Sequence, residues 1–298
     1  MKLLKFTERQ PKLKALCFCK MEYQIKSHNL VVKINSKGAE LSSVKLEDLE
    51  YLWQAKADVW PRHAPVLFPI VGRLKDNSIS QHGFARDKEL KLAFKDENEI
   101  SFELINDEET NELFPFDFKL IIWYSITDNR VVCGYEVVNT ASQKNLFFSI
   151  GAHPGFKVPL SNTEKFEDYK LVFSNKEYYT TVLADGLLSD TKKELVLHHG
   201  ELNLSTALFE NDALVFEDSQ IDQIRLISKS GKGLELNCKD WPYFGIWSKK
   251  GCSEFVCLEP WYGIADSINS TGNLQTKKGI IELKVGEKFD CSFSIRVF

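Results

Sequence analysis

The chain has 298 residues, of which 43% are hydrophobic and 12% aromatic, and a formal net charge of -4. This composition is sufficient for a large core, either in two average domains or in one long all-β domain. The nearly balanced charge argues against nucleic acid as the main partner, and no apolar run approaches the ~20 residues that a membrane helix needs. Seven scattered cysteines without a CxxC pair indicate reduced thiols, so we expect a cytoplasmic protein.

The first twenty residues differ from the rest of the chain. Lysines and Pro11 interrupt every apolar run in "MKLLKFTERQPKLKALCFCK", which excludes a signal peptide. Patterned β sequence begins directly after Met21, the only methionine besides Met1. We therefore predict that residues 1–20 lie outside the fold, that translation naturally starts at Met21, and that residues 21–298 form one domain.

Short β-type runs separated by turn residues follow one another from residue 30 to the end. They include "LVVKI", "LSSVKL", "EISFELI", "FKLIIWYSI", "VVCGYEVVN", "YKLVFS", "ALVFE", "QIRLIS", "GLELNC", "FGIWS" and "EFVCLE". The last run, 289–297, alternates cleanly between apolar and polar residues. No stretch sustains a helical period for long. The pattern predicts an all-β sandwich or barrel, and neither a repeat nor a linker divides the chain.

Two segments in the first third break this β rhythm. "RHAPVLFPIVGRLKDN", residues 62–77, is stiffened by prolines that prevent a central-strand ladder, and Arg73 near its end is suited to hold a hydroxyl-rich or anionic ligand. "QHGFAR", residues 81–86, carries His82 beside a glycine, which permits a backbone conformation or a close approach that a Cβ would block. Taken alone, the first segment is equally compatible with a loop that covers the core, and the second with a surface turn.

Two later segments carry an imidazole and a carboxylate in similar settings. In "GAHPGF" the proline after His153 holds the histidine in extended backbone, and in "FVCLEPWYGIAD" Pro260 does the same for Glu259. Glu259 stands beside Trp261, and partial desolvation by aromatic neighbours raises the pKa of a carboxyl toward that of a useful base. A packed histidine and a salt-bridged glutamate are the alternatives for each residue alone.

Together these residues indicate proton transfer on a polyhydroxylated ligand. Two histidines and a glutamate supply acid–base groups, and the aromatic side chains, Trp261 among them, can stack on the C–H faces of a sugar ring. We expect no metal and no cofactor. The adjacent pair His198 and His199 lies in a loop-like segment and points apart on extended backbone, so it is unsuited to ligate an ion together.

At this point the sequence resembles the aldose 1-epimerases (galactose mutarotases), and within them the bacterial LacX-like branch. The similarity extends over the chain after Met21 and rests on "GAELSSV", "EYLWQA", "APVLFPIVGRL", "HGFAR", "IGAHPGF", "KFEDYKLVFS", "SGKGLEL", "LEPWYGIAD" and "LKVGEKF". "HGFAR", "GAHPGF" and "LEPW" in this order form a specific signature. The resemblance implies a large antiparallel β-sandwich of the mutarotase-like supersandwich type, whose concave face binds sugar without a cofactor.

The resemblance also implies roles for individual residues. Glu259 would be the general base that takes the proton of the C1 hydroxyl, and His153 the general acid toward the ring oxygen. His82 would bind the substrate and stabilise charge on that oxygen, while Arg73 and Asp212 would bind sugar hydroxyls. We expect His153 and Glu259 to face opposite sides of one hemiacetal in a shared pocket, in a monomer or a homodimer.

Three alternatives remain open. A hexose-6-phosphate 1-epimerase would use Arg73 and Arg86 against the phosphate, a natural task for guanidinium groups. A non-catalytic sugar-binding module on the same fold would bind without accelerating any reaction, although binding alone does not require a matched acid and base. A glycoside-cleaving enzyme would need two carboxylates across the bond, and the sequence offers only Glu259 convincingly.

Overall fold

The computed structural model describes residues 21–174 and 177–298. The predicted extension 1–20 lies outside the described residues. The strands in chain order are β1 (Glu22–Ser27), β2 (Leu30–Asn35), β3 (Leu41–Leu46), β4 (Leu49–Glu50), β5 (Val66–Leu67), β6 (Lys91–Lys95), β7 (Glu99–Ile105), β8 (Phe118–Thr127), β9 (Arg130–Asn139), β10 (Leu146–Phe148), β11 (Ile150–Ala152), β12 (Gly155–Lys157), β13 (Tyr169–Phe173), β14 (Tyr179–Ala184), β15 (Leu187–Glu194), β16 (Glu201–Asn203), β17 (Leu214–Phe216), β18 (Gln223–Ser228), β19 (Gly233–Asn237), β20 (Tyr243–Trp247), β21 (Phe255–Tyr262), β22 (Ile281–Leu283) and β23 (Lys288–Val297).

Helical structure in this part of the chain is short. The α-helix α1 spans Glu108–Leu113 and begins with a capping box in which Asp107 accepts the Thr110 N–H. Four 3₁₀ turns span Ala85–Asp87, Phe166–Asp168, Thr206–Phe209 and Leu274–Thr276. Neither α1 nor any other helix in the described ranges has the length and apolar character to cross a membrane.

Two large antiparallel sheets form most of the described structure, and a four-stranded sheet β1-β2-β3-β4 and the pair β10-β22 accompany them. The first has nine strands in the order β16-β13-β18-β19-β23-β9-β8-β7-β6, and the second runs β15-β14-β17-β20-β21-β11-β5 with β12 also paired to β21. One continuous core contains residues of both sheets, for example Ile122 and Leu226 from the first and Ile246 and Leu258 from the second. The predicted all-β sandwich is thus confirmed.

The strand β21 shows how the second sheet carries a site. Its side chains alternate between faces: Val256 and Leu258 join the core between the sheets, whereas Cys257 and Trp261 belong to smaller apolar clusters on the opposite face. Glu259 is two residues from both Cys257 and Trp261 and therefore lies on the same face of the strand as they do. Because both faces are covered, every residue from Phe255 to Trp261 is buried, and the run is apolar in the sequence except for Glu259.

The proline-rich segment 62–77 behaves as predicted. Only Val66 and Leu67 form a strand, which pairs with β11 at the end of the second sheet, and the rest runs as irregular backbone over that face. In contrast, the strand that ends in "EFVCLE" continues beyond the predicted Glu259 as far as Tyr262, through Pro260. Glu259 is therefore held inside a strand rather than at its end.

Candidate active site

A cavity of about 310 Å³ lies on the outer face of the second sheet. This volume is at the lower end of the range for small-molecule sites and suits a ligand such as a monosaccharide. Six of the seven residues predicted to form a site line it: His82, Arg86, His153, Asp212, Glu259 and Trp261. The motifs in four separate parts of the sequence thus converge on one concave surface.

Two glycines leave room for Trp261 in the floor of this cavity. Gly151 and Gly245 lie in the strands on either side of β21. A Cβ on Gly151 would lie 2.7 Å from the indole Cδ1, and one on Gly245 would lie 2.3 Å from Cη2. The indole therefore lies flat across the neighbouring strands and presents an aromatic face of the kind on which sugar C–H groups stack.

His153 is fixed by its backbone and by two tryptophans. It directly follows β11, and its N–H donates to the Pro65 carbonyl at 3.1 Å. The imidazole stacks on Trp60, with ring centroids 5.1 Å apart, and meets the edge of Trp247 at 5.6 Å. A Cβ on Gly155 would lie 2.7 Å from the Trp60 ring, so this glycine allows the stack. The ring has one orientation because aromatic groups enclose it on two sides.

His153 Nε2 lies 3.2 Å from Glu259 Oε2, and the two side chains are only 10% and 2% exposed. Burial raises the pKa of Glu259 well above its usual range, and the charge of Asp212 raises it further. Burial lowers the pKa of His153 to about 3, and the positive charges of Arg86 and Arg62 oppose its protonation further. Both shifts favour the uncharged forms, a neutral carboxyl beside a neutral imidazole, in which the pair holds one titratable proton.

His82 faces the same cavity from an unusual backbone conformation. Its φ is +66°, and its N–H donates to the Gly72 carbonyl at 3.0 Å while the Gly72 N–H donates to His82 Nδ1 at 3.2 Å. Burial lowers the pKa of His82 well below its usual value. A neutral ring that accepts at Nδ1 carries its proton on Nε2, and this second nitrogen lies 3.3 Å from the side-chain amide of Gln81. His82 is thus a neutral hydrogen-bond donor, with its ring 5.4 Å from that of His153 and edge-on to it.

The close approach predicted at Gly83 is present. Gly83 has a φ of +71°, and a Cβ there would lie 2.2 Å from the Phe68 carbonyl oxygen. That oxygen accepts the N–H groups of Phe84 and Ala85. Only glycine fits this position, and the contact anchors the segment that carries His82.

One part of the cavity wall is basic. Arg86 donates from Nη2 to the Gln81 carbonyl at 2.5 Å, and its buried Nε has no hydrogen-bond partner among the described residues. Arg62 reaches the same wall and donates to Asp87 at 3.0 Å. Burial and the neighbouring Arg62 lower the pKa of Arg86 to about 10. The Arg86 guanidinium therefore remains positively charged at neutral pH.

A family model described as aldose 1-epimerase matches residues 21–289. The chain belongs to the aldose 1-epimerase family. Two LacX proteins of Lactococcus lactis subsp. lactis, one chromosomal and one plasmid-encoded, are each 32% identical to it over 286 residues, or 88% of this chain and 95% of the relative.

Solved structures agree with this assignment. A galactose mutarotase related enzyme from Lactobacillus acidophilus matches with a TM-score of 0.88 and 33% identity, over 93% of this chain and 97% of the other. A galactose mutarotase-like protein from Lactobacillus casei matches with a TM-score of 0.87 and 26% identity, over 93% and 100%. The fold predicted from the resemblance, a mutarotase-like sandwich, is confirmed.

Arg73 is the one predicted site residue of this aldose 1-epimerase family member that does not line the cavity. Its guanidinium donates to the Asp185 carbonyl and carboxylate at 2.7 and 2.6 Å and to Asn77 at 3.1 Å. Asp185 precedes Gly186, which does line the cavity. Arg73 thus braces the loop at the rim.

Among the cavity residues that the sequence analysis did not nominate, three have aromatic or charged side chains. Trp60 and Arg62 flank Pro61 at the start of the irregular segment, and Trp247 ends β20. Tryptophan next to a proline-stiffened loop is a weak signal for a sugar site. The direction of Arg62 depends on its pairing with Asp87, which sequence spacing does not reveal.

One group of side chains in the described residues has the composition of a metal site. His153, Cys257 and Glu259 place a nitrogen, a sulfur and an oxygen within 4.8 Å of one another. Cys257 lies on the same face of β21 as Glu259, and its side chain is fully buried. His198 and His199, which the sequence predicts not to ligate an ion together, are exposed in a loop and do not belong to this group.

Proposed function

We propose that the protein is a mutarotase that interconverts the α and β anomers of a hexose by acid–base opening and reclosure of the ring. The observation that carries the proposal is the 3.2 Å contact between His153 Nε2 and Glu259 Oε2 at the wall of a sugar-sized cavity. The reaction needs a base at the C1 hydroxyl and an acid at the ring oxygen. These two oxygens share one carbon, so adjacent protein groups can serve both.

The contact between the two side chains modifies the arrangement expected from the sequence. Glu259 and His153 contact each other, so they do not stand on opposite sides of an open gap. Instead we infer that they act side by side on the two oxygens of C1. The base in this arrangement is the Glu259 carboxylate and the acid is the His153 imidazolium, which is one of the two ways in which the pair can hold its single proton.

Ring opening then changes the protonation of the pair without changing its proton count. The C1 hydroxyl gives its proton to Glu259, the C1–ring oxygen bond breaks, and His153 gives its proton to the ring oxygen. The products are the open-chain aldehyde, a neutral carboxyl and a neutral imidazole, which is the form that burial favours. Rotation about C1–C2 and the reverse transfers close the ring as the other anomer.

His82 would complete the site. Its Nε2–H, fixed by the hydrogen bond from the Gly72 N–H to Nδ1, can donate to the ring oxygen without gaining a charge. Trp261 would stack on the sugar ring, and Asp212 and Arg86 would hold its hydroxyls. Arg73 would bind the substrate only if the rim loop with Asp185 opened.

Polarimetry of freshly dissolved α-glucose and α-galactose tests the proposal. We expect the rotation to relax faster than in buffer, in proportion to the protein concentration, and the acceleration to be lost in Glu259→Gln. Fluorescence of the cavity tryptophans follows sugar binding in the same samples. Saturable binding with no acceleration would instead identify a sugar-binding module and overturn the proposal.

A hexose 6-phosphate is the second candidate substrate, because Arg62 and Arg86 both face the cavity. Guanidinium groups bind phosphate through charged, often paired hydrogen bonds. The comparison of glucose 6-phosphate with glucose in the same assay decides between them. If the phosphorylated sugar is the substrate, Arg62→Ala will raise its KM at least about tenfold, in line with the loss of a charged hydrogen bond, and leave that of glucose unchanged.

A further inference from the structure

Cys257 lies beside the reactive pair but has no part in the proposed reaction. It precedes Glu259 by two residues on β21, and it pairs with Gly155 on one side and Trp247 on the other. Its sulfur, one nitrogen of His153 and one carboxylate oxygen of Glu259 lie within 4.8 Å of one another. Three different ligand types thus converge on one point next to the cavity.

The geometry of this group is close to that of a zinc site with three protein ligands. Zinc binds sulfur at about 2.3 Å and nitrogen or oxygen at about 2.0–2.2 Å, so neighbouring ligand atoms lie roughly 3.3–3.7 Å apart. The His153–Glu259 distance of 3.2 Å already fits. The sulfur would have to approach by about 1 Å at most, on the tetrahedral geometry of such sites. The cavity adjoins His153 and Glu259, so a fourth position stays open to water.

Charge and ligand chemistry also fit a transition-metal ion. A thiolate and a carboxylate bring two negative charges, which a divalent ion neutralises in a buried setting. Thiolate and imidazole favour zinc or cobalt over magnesium or calcium. In addition, His153 Nδ1 is buried and has no hydrogen-bond partner in the described part of the chain, so no protein hydrogen bond at that atom competes with metal binding by the ring.

We propose that His153, Cys257 and Glu259 form a binding site for a thiophilic divalent metal ion such as Zn²⁺, and that the ion inhibits the enzyme. Binding replaces the thiol proton of Cys257 and the single proton of the His153–Glu259 pair, so two protons are released for each ion. The ion then occupies both the acid and the base. The metal site stands on geometry alone, whereas the inhibition rests on the proposed function.

Cobalt provides a test that does not depend on activity. The full chain, treated with chelator, is titrated with Co²⁺, and we expect a saturable thiolate-to-cobalt absorption band that Zn²⁺ abolishes by displacement. Cys257→Ser should lose the band, and Cys252→Ser, the matched control at a nearby cysteine, should keep it. Absence of the band in the wild type, or its persistence in Cys257→Ser, would overturn the site.

Inhibition is measured separately by polarimetry. Zn²⁺ should inhibit the wild type and Cys252→Ser alike, whereas Cys257→Ser should need at least about tenfold more Zn²⁺, consistent with the loss of one of three ligands. Mg²⁺ should have no effect on either. If Cys257→Ser does not fold, Glu259→Gln serves in the cobalt titration, where it must weaken the band. A wild-type enzyme that is active but indifferent to Zn²⁺ would refute the inhibition, while an inactive protein that shows the band would refute only the proposed function.

Discussion

Two buried pairs of ionisable side chains are similarly shielded from solvent but have different hydrogen-bond surroundings. His153 and Glu259 are 10% and 2% exposed, and Lys277 and Asp266, with Nζ 3.6 Å from Oδ1, are 2% and 5% exposed. Lys277 also donates to the Ile264 carbonyl, and Asp266 accepts the Lys75 N–H at 3.0 Å. The second pair is thus surrounded by backbone partners, whereas the first borders an open cavity and leaves His153 Nδ1 unpaired.

The comparison shows that burial of two ionisable partners does not by itself identify a reactive site. Asp266 and Lys277 clamp a segment: the Asp266 N–H donates to the Arg73 carbonyl, and its own carbonyl accepts the Leu188 N–H. This segment includes Ile264 and Ala265, which line the cavity. Asp266 and Lys277 thus hold the cavity wall, whereas the pair that borders the cavity, with His153 Nδ1 unpaired, is the one available to a ligand.

Replacement of Glu259 by glutamine should have the largest effect on turnover. The amide cannot take the C1 proton, so we expect kcat to fall by about 10³–10⁴, within the upper range for loss of a general base. Thermal stability should be unchanged or raised, because a buried ionisable group is removed. Polarimetry and a thermal melt measure both, and wild-type rates would disprove the base assignment.

Replacement of His153 by asparagine should have the next largest effect. We expect kcat to fall by about 10²–10³, since loss of a general acid removes a large part of the acceleration. The loss should be smaller than for Glu259→Gln, because the neighbouring His82 still donates to the ring oxygen. The double variant with His82→Asn should then fall to the level of Glu259→Gln, and equal activity in His153→Asn and wild type would remove His153 from the acid role.

Replacement of Lys277 by methionine should instead lower the stability of the fold strongly and kcat only slightly. The loss of one partner from a buried pair costs about 3–5 kcal/mol of folding free energy, because Asp266 is left unpaired. The kcat at temperatures below the melt should fall only a few-fold, since no proton donor or acceptor is touched. Chemical denaturation and polarimetry on the same sample measure both, and a kcat loss as large as that of His153→Asn would show that the two pairs are not functionally distinct.

Lys277, in its pair with Asp266, also makes the folding stability of the protein depend on pH. Burial lowers the pKa of Lys277 from its usual value of 10.5 to about 8 in the folded protein. Between pH 8 and 10.5 the unfolded chain therefore binds more protons at this lysine, and its contribution to stability rises with pH. Lys277→Met should lack this contribution when denaturation curves are compared across that window, and an identical pH dependence in both proteins would contradict the assignment.

The sequence predicted that His153 and Glu259 share a pocket but did not predict the clamp formed by Asp266 and Lys277, for a physical reason. Glu259 and His153 each precede a proline in an aromatic run, and the resemblance connected them to one another and to His82. Lys277 follows the turn Leu274–Thr276 in a polar stretch and looks like an ordinary exposed lysine. Its burial results from the path of the chain over the cavity wall, which no local pattern encodes.

A similar limit applies within the cavity. The alternation of side chains along β21 places Glu259 and Trp261 on one face. This placement can be predicted from the sequence only when the segment is recognised as a strand that is covered on both faces. Arg62 and Arg73 lie in one irregular segment, where no period sets the direction of a side chain. The resemblance favoured Arg73 as a cavity residue, but its contacts with Asp185 hold it at the rim, and Arg62 reaches the cavity instead.

The smallest effect should come from Asp212→Asn, which changes the charge near the reactive pair without altering it. Asp212 lines the cavity and raises the pKa of Glu259. His153 and Glu259 titrate as a unit, and the reactive form of the pair carries one proton. The fall of kcat/KM on the alkaline side of its pH profile, the alkaline limb, therefore reports the loss of that proton. Removal of a neighbouring negative charge makes that loss easier and should move the limb to lower pH by up to about one unit, as expected for one partly exposed charge. A limb that moved to higher pH would mean that the proton on this pair is not the one that catalysis requires.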